Sequence, residues 1–429
     1  MFSIISSNIK SINIKVSEER EMSFLDIERD MNSEQRMFKQ EFHKFCEEVI
    51  RPAEIELDKL ADPEEVHADD SVLWNVVKQY RDLGYHTMFI PKQYGGMGIT
   101  DPLFYSILVE EIAQAGYGFA LILPGMVLHV PFALASGDKE IIDRFVIKYL
   151  EEKDPRKVRP CIPIIEPNCG SDIVRSMMPT VDPNMGECVA KLVGDEWVIN
   201  GPKSLWVSHA SYATVGVANV RVISPDGNGR GTCLIPLDLP GVIRGKAVDK
   251  MGSRVDNQAE LIFEDVRIPK KYMIYGPDKY AKAWTAQLTG LNCFFASVCV
   301  GLGQAALDEG EKYAKERIQG GMPLIQHQGI QLKMAEMFLL QEASRAAARR
   351  AVRYNFMNPN GSLSHAASAK VFCSETCFKI ASDALQIHGS AGITKEYPIE
   401  KIFRDARTTT IADGASDTLK LCIAYEQYS

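Results

Sequence analysis

Residues 196–208 read Glu196-Trp197-Val198-Ile199-Asn200-Gly201-Pro202-Lys203-Ser204-Leu205-Trp206-Val207-Ser208. Successive side chains on a strand point to opposite faces, so the alternation over Glu196–Asn200 predicts a half-buried β-strand. Ala259–Phe263 repeats the pattern, and Gly194-Asp195, Asp226-Gly227 and Asn228-Gly229 carry turn chemistry. From about Pro160 to Pro269 the chain therefore reads as a β-domain. Outward on both sides the apolar spacing changes to three and four. Phe38, Phe42, Phe45 and Val49 show it before the strands. After Pro277, helical segments are predicted near 279–317, 323–356, 362–388 and 414–427, and short connections make a four-helix bundle the economical packing. The predicted fold class is α+β. A helical N-terminal domain (32–155) precedes a middle β-domain (156–275) and a C-terminal four-helix bundle (276–429), with residues 1–31 as an extension.

The chain has 429 residues, 46% of them hydrophobic and 24% charged, which excludes a mainly disordered or collagen-like protein. A formal charge of −8 argues against a dedicated nucleic-acid binder. The ten cysteines include no metal-site spacing; even Cys373 and Cys377 lack a second pair or a nearby histidine, so no metal site is expected. Reduced thiols point to the cytoplasm, or to the mitochondrial matrix of a eukaryote. Ala283–Leu307 carries no formal charge and is long enough to cross a bilayer. Its interruption by Thr289, Gly290, Asn292, Ser297, Gly301, Gly303 and Gln304 favours a helix buried among other helices, and no membrane span is expected. Residues 1–15 lack acids and contain four serines, as in a weak transit peptide, while Met22 offers an alternative start. Gly95-Gly96-Met97-Gly98 lacks the strand-to-helix context of a dinucleotide loop and reads as a turn.

Three clusters carry candidate chemistry. Ile164-Ile165-Glu166-Pro167-Asn168-Cys169-Gly170-Ser171-Asp172 can present backbone N–H groups and a hydroxyl, or can be a β-turn. Asn200–Ser208 offers the flat face of Trp206 and, on the same side of a strand, the Ser208 hydroxyl; alone, a core tryptophan is the better reading. The third is the run Gln386-Ile387-His388-Gly389-Ser390-Ala391-Gly392, Glu396-Tyr397-Pro398, Arg404-Asp405-Ala406-Arg407 and Ile411-Ala412-Asp413-Gly414-Ala415-Ser416-Asp417.

In this order, and with Lys250-Met251-Gly252-Ser253-Arg254 and Phe263–Pro269 between them, these segments resemble the flavin-dependent acyl-CoA dehydrogenase superfamily over about residues 32–425. The resemblance implies the helix–β–helix architecture, non-covalent FAD and an acyl-CoA substrate. It gives main-chain groups around Ile164 and Ile165 to the ring edge, Ser171 to the pyrophosphate and substrate side, Trp206 and Val207 to the ring, and Ser208 to a hydrogen bond near N5. Arg317, Ile318, Gln319, His327, Gln328, Gln386, Ile387, Gly389 and Ser390 match positions that reach the FAD of a neighbouring subunit, which implies a homo-oligomer, usually a tetramer. Ala415 and Asp417 align with cofactor positions; Thr289, Asn292, Arg345 and Gly414 align with substrate positions. An electron-transferring flavoprotein is the implied electron acceptor.

A thioester acidifies the adjacent C–H, so a positioned carboxylate can remove the α-proton while the β-hydrogen leaves as hydride. The family's usual base is a glutamate before a glycine, and the matching residue here is Asp413, one methylene shorter. Some branches place aspartate there, notably the alicyclic acyl-CoA dehydrogenases and the nitroalkane oxidases. The isovaleryl-type branch uses a bundle-helix position that matches Leu291, which cannot serve. Thr289, Asn292, Arg317-Ile318-Gln319-Gly320-Gly321 and Ala415 also depart from the family pattern, pointing to a remodelled substrate end and a cyclic or branched acyl group. Two other readings stay open: a flavin oxidase or monooxygenase on a non-CoA substrate, and a non-catalytic FAD-binding homologue.

Overall fold

In a computed structural model, residues 31–428 are described, apart from 177, 179, 180, 183, 359 and 360. The transit-peptide and Met22 expectations lie outside the described residues.

The first helix, Ser33–Phe45, starts at a reciprocal capping box in which Asn32 and Gln35 each bond the other's backbone N–H. Helices continue through Arg51–Asp58, Val72–Asp82 and Pro102–Ala115, then in shorter pieces to Glu151. Gly95-Gly96-Met97-Gly98 forms a turn after Lys92–Tyr94, as its sequence context predicts.

Eight strands follow: β1 (Pro160–Cys161), β2 (Val189–Val193), β3 (Glu196–Ser208), β4 (Val215–Ser224), β5 (Gly227–Pro236), β6 (Val242–Arg244), β7 (Gln258–Pro269) and β8 (Met273–Tyr275). They form one sheet in the order β6-β7-β3-β2-β4-β5-β8, with β1 beside β4. Pairing is antiparallel except for β1–β4 and β2–β4. The two alternating stretches pair with each other: Lys203 lies opposite Leu261 and Val207 opposite Ala259, with a bulge between these pairs. Gly194-Asp195 and Asp226-Gly227 mark the hairpins between β2 and β3 and between β4 and β5. Asn228-Gly229 is a correction. It does not turn but pairs inside β5 with Ile223 and Val222, because cross-strand pairing outweighs the local turn signal.

The bundle comprises Pro277–Glu316, Gln328–Met357, Leu363–His388 and Ser416–Tyr428, joined by a shorter fifth helix, Pro398–Thr409. Pro277 and Pro398 sit at the starts of their helices, where a missing N–H costs nothing. The 283–307 stretch lies inside the first of these helices and is mostly buried against protein, as its polar interruptions predict. At Gly301 a Cβ would stand 2.1 Å from the Glu110 carbonyl oxygen, so only glycine lets the long helix approach Pro102–Ala115 this closely. The N-terminal helices and the bundle share one apolar core that includes Phe42, Ile112, Phe119, Phe295, Val298 and Ile380. The sheet has its own, built around Val217, Leu234 and Phe263.

Candidate active site

Asp413 sits in the turn between Pro398–Thr409 and Ser416–Tyr428, at φ +51°, followed by Gly414 at φ +97°. Two successive left-handed residues reverse the chain sharply, and an aspartate tolerates that region better than most side chains. Burial is the main influence on its carboxyl and, with Asp256 adding to it and the Lys370 ammonium opposing it, pushes the pKa up to about 6. Lys370, from Leu363–His388, is fully buried and donates from Nζ to the Gly414 carbonyl at 2.7 Å. A carboxyl poised near neutrality suits a general base.

A second acid belongs to the same neighbourhood. Asp256 is completely buried between β6 and β7 and accepts the Ser208 hydroxyl proton at Oδ2, at 2.9 Å. Ser208 in turn accepts from Gln258 Nε2 at 3.2 Å. With its proton on Asp256, Ser208 offers the ring position expected of it an acceptor. His209 Nε2 lies 3.4 Å from the other Asp256 oxygen, at φ +67°. Trp206, two residues before Ser208, is 53% exposed despite its place in the sheet, and Val207 is buried.

The Glu166-Pro-x-x-Gly-Ser-Asp and Asn200–Ser208 segments are joined from within. Lys203 Nζ and Glu166 Oε1 form an ion pair at 2.8 Å with both side chains at 0% exposure. Lys203 also donates to the Ile164 carbonyl, and Ser204 N–H to the Ile165 carbonyl. Both carbonyls are thus taken up, which leaves the N–H groups of Ile164 and Ile165 as their main-chain donors. Ser171 is exposed; its oxygen accepts from Thr418 Oγ1 at 3.1 Å and its own proton remains for a ligand.

Thr289 and Asn292 are buried and turn back on their helix, bonding the Thr285 and Leu288 carbonyls. Asn292 Oδ1 has no partner among the described residues. Arg345, aligned with a substrate position, is held by neighbouring side chains. Its guanidinium is buried and bonds Glu342 and Gln304, with Glu110 at 3.7 Å. Ala415 is half-buried and caps Ser416–Tyr428 through its carbonyl, whereas the Asp417 side chain is fully exposed and pairs loosely with Lys420.

Arg317, Ile318, Gln319, Gln328, Gln386, Gly389 and Ser390 are exposed, Ile387 is buried, and His327 Nε2 donates to the Gln319 carbonyl at 2.9 Å. Tyr313 stacks on His388 with centroids 4.2 Å apart, which gathers these segments at one end of the bundle. Asn292 and Arg317 lie on one helical path, roughly 37 Å apart at a rise of about 1.5 Å per residue.

An exposed tryptophan face beside a hydroxyl and two half-buried isoleucines fits a planar ring with one polar edge, so Trp206, Ser208, Ile164 and Ile165 fit FAD. No cluster of metal-ligating side chains occurs among the described residues. A cavity of about 290 Å³ lies elsewhere, lined by Arg51, Glu54, Lys401, Arg404 and Asp405, and takes in none of the predicted site residues. Lys370 and Asp256 escaped sequence reasoning. The available signals were a lone lysine within the apolar run Ala366, Ala367, Ala369, Val371 and an aspartate just after buried Val255.

Residues 32–153, 161–266 and 284–427 match the families described as the N-terminal, middle and C-terminal domains of acyl-CoA dehydrogenase. A probable acyl-CoA dehydrogenase of Bacillus subtilis is 32% identical over 405 residues, covering 92% of this chain and 98% of its own. The short-chain specific mitochondrial acyl-CoA dehydrogenase of Rattus norvegicus is 32% identical over 392 residues, covering 91% of this chain and 89% of its own. The structure of butyryl-CoA dehydrogenase from Megasphaera elsdenii superposes with a TM-score of 0.81 at 25% identity, covering 93% of this chain and 99% of that one.

Proposed function

The chain belongs to the acyl-CoA dehydrogenase family of FAD-dependent oxidoreductases, and from that premise we propose that it introduces an α,β-double bond into a compact, cyclic or branched acyl-CoA with Asp413 as the base. The observation that carries this reading is the placement of Asp413 in a left-handed turn, with its carboxyl pushed to about 6 next to a buried lysine. When bound, FAD supplies a two-electron acceptor for the β-hydride. Asp413 takes the α-proton at a carboxylate oxygen; Trp206 offers a stacking face; and Asp256 and Gln258 between them fix the Ser208 hydroxyl. Leu291, at the alternative base position, is apolar.

The preference for a compact substrate rests on the shorter acid and on Thr289 and Asn292, whose side chains fold back on their own helix. The short-chain specificity in the name of the rat relative agrees with a compact acyl group. The roughly 37 Å between Asn292 and Arg317 supports an oligomer, usually a tetramer in this family, in which the Arg317 and Gln386–Ser390 segments serve the FAD of a neighbour. Electrons would pass to an electron-transferring flavoprotein.

A panel of acyl-CoA thioesters mixed with the protein under argon tests the proposal. Flavin bleaching is expected with cyclic or branched thioesters in preference to butyryl-CoA. Bleaching by straight chains alone would overturn the substrate assignment, and none with any thioester would favour a non-catalytic homologue. Rapid air reoxidation with product bound would favour an oxidase.

A further inference from the structure

Lys370 is 0% exposed, yet no carboxylate lies within ion-pair distance of its Nζ among the described residues. Its ammonium faces the Phe295 ring, 5.6 Å from the centroid, and donates to the Gly414 carbonyl at 2.7 Å. A buried ammonium is costly, and burial holds its pKa below the usual lysine value. A neutral donor could satisfy a carbonyl at lower cost. After burial, the groups that act on this charge are the Cys299 thiol, then the carboxylates of Asp413 and Glu375 in that order.

We propose that Lys370 is a positioning residue for Asp413: its hydrogen bond pins the left-handed Asp413-Gly414 pair, and its charge keeps the Asp413 carboxylate ionised in an apolar site. This rests on the reading of Asp413 as the base. The groups around the turn come from every packed element. They are Lys370 and Glu375 from Leu363–His388, Cys299 from the long helix, Asp256 from the β-domain, Arg407 bonding Thr410 at the start of the turn, and Tyr117 bonding Thr408 from the N-terminal domain. Among them Lys370 is the cation whose Nζ reaches the turn's own backbone, one residue from the acid.

The test compares Lys370→Gln, which keeps an N–H donor without the charge, with Lys370→Met and Lys370→Arg in the FAD-loaded protein. Two readouts apply: the acid limb of kcat/KM against pH, and infrared titration of the Asp413 carboxyl band, identified by its loss in Asp413→Asn. Lys370→Gln should move both upward by about one pH unit and lower kcat at pH 6 more than it changes KM. Lys370→Arg should return both toward wild type. An unchanged limb and carboxyl titration in Lys370→Gln would overturn the proposal. If the neutral variants fail to fold, Lys370→Arg decides: a wild-type carboxyl titration supports the assignment, and a displaced one overturns it. Should Asp413→Asn remain active with its limb in place, the base assignment fails separately, because the infrared titration still reads Lys370 against Asp413.

Discussion

As the proposed base, Asp413 is asked to do two things that oppose each other. Raised to about 6, its carboxyl is a better proton acceptor than a solvated aspartate, yet ionising it inside the protein costs folding free energy. The folded value lies above the unfolded one, so its contribution favours the folded state most at low pH and is lost as pH rises through about 6. Asp413→Asn should therefore raise Tm relative to wild type most above pH 6, with the gain shrinking as pH falls and vanishing only near the ordinary carboxylate value, as read by thermal melts across pH. The same variant should keep FAD and lose about 10²–10⁴-fold in flavin reduction, the usual worth of a positioned base; stopped-flow absorbance reads that loss. Asp413→Glu should also lose activity, because the longer side chain crowds a substrate placed for the shorter one. Asp256 acts in the opposite sense to Lys370. Removing its negative charge in Asp256→Asn should move the acid limb of kcat/KM to lower pH, by less than the Lys370 variants move it upward, since Asp256 is the weaker influence.

At the scale of elements, β3 divides its labour by face. Lys203 points inward to Glu166, whereas Trp206, within the bulge, stays exposed. Removing one partner of a buried pair leaves an uncompensated charge, so Lys203→Met should cost about 3–5 kcal/mol, measured by denaturant unfolding. Trp206→Ala should barely change stability, because the ring is half in solvent, and should instead speed FAD loss on dilution, followed by flavin fluorescence. The strand pattern at Glu196–Asn200 and Ala259–Phe263 was legible because each residue's face is set locally by the pleat. Asn228-Gly229 was not, since its partner strand decides whether such a dipeptide turns or pairs. Asp413 could be singled out from its neighbours in sequence, whereas the contacts of Arg345 could not be read there. The direction of a helix arginine depends on what packs against it, here Glu110 from a distant helix.

Across the whole molecule, the Arg404-Asp405-Ala406 segment is where the three domains meet. Asp405 accepts from Ser253 N–H at 2.7 Å in the β-domain, and Lys401 bridges Asp405 to Glu54 of the N-terminal helices. Arg404 bonds both Asp58 and the Met251 carbonyl. Motif residues that look functional in the sequence thus hold the domains together, as Glu166 and Lys203 hold two loops.

The 40-residue helix that separates Asn292 from Arg317 has one more consequence. If each active centre draws Asp413 from one chain and Arg317 from its neighbour, damage to the two residues resides in different chains of any one centre. Asp413→Asn and Arg317→Ala subunits, each inactive alone, should regain activity when dissociated together and reassembled, because some centres then receive an intact copy of both. Turnover of the mixture above the sum of its parents would show that catalysis is shared between polypeptides; parental turnover alone would show that each chain works by itself.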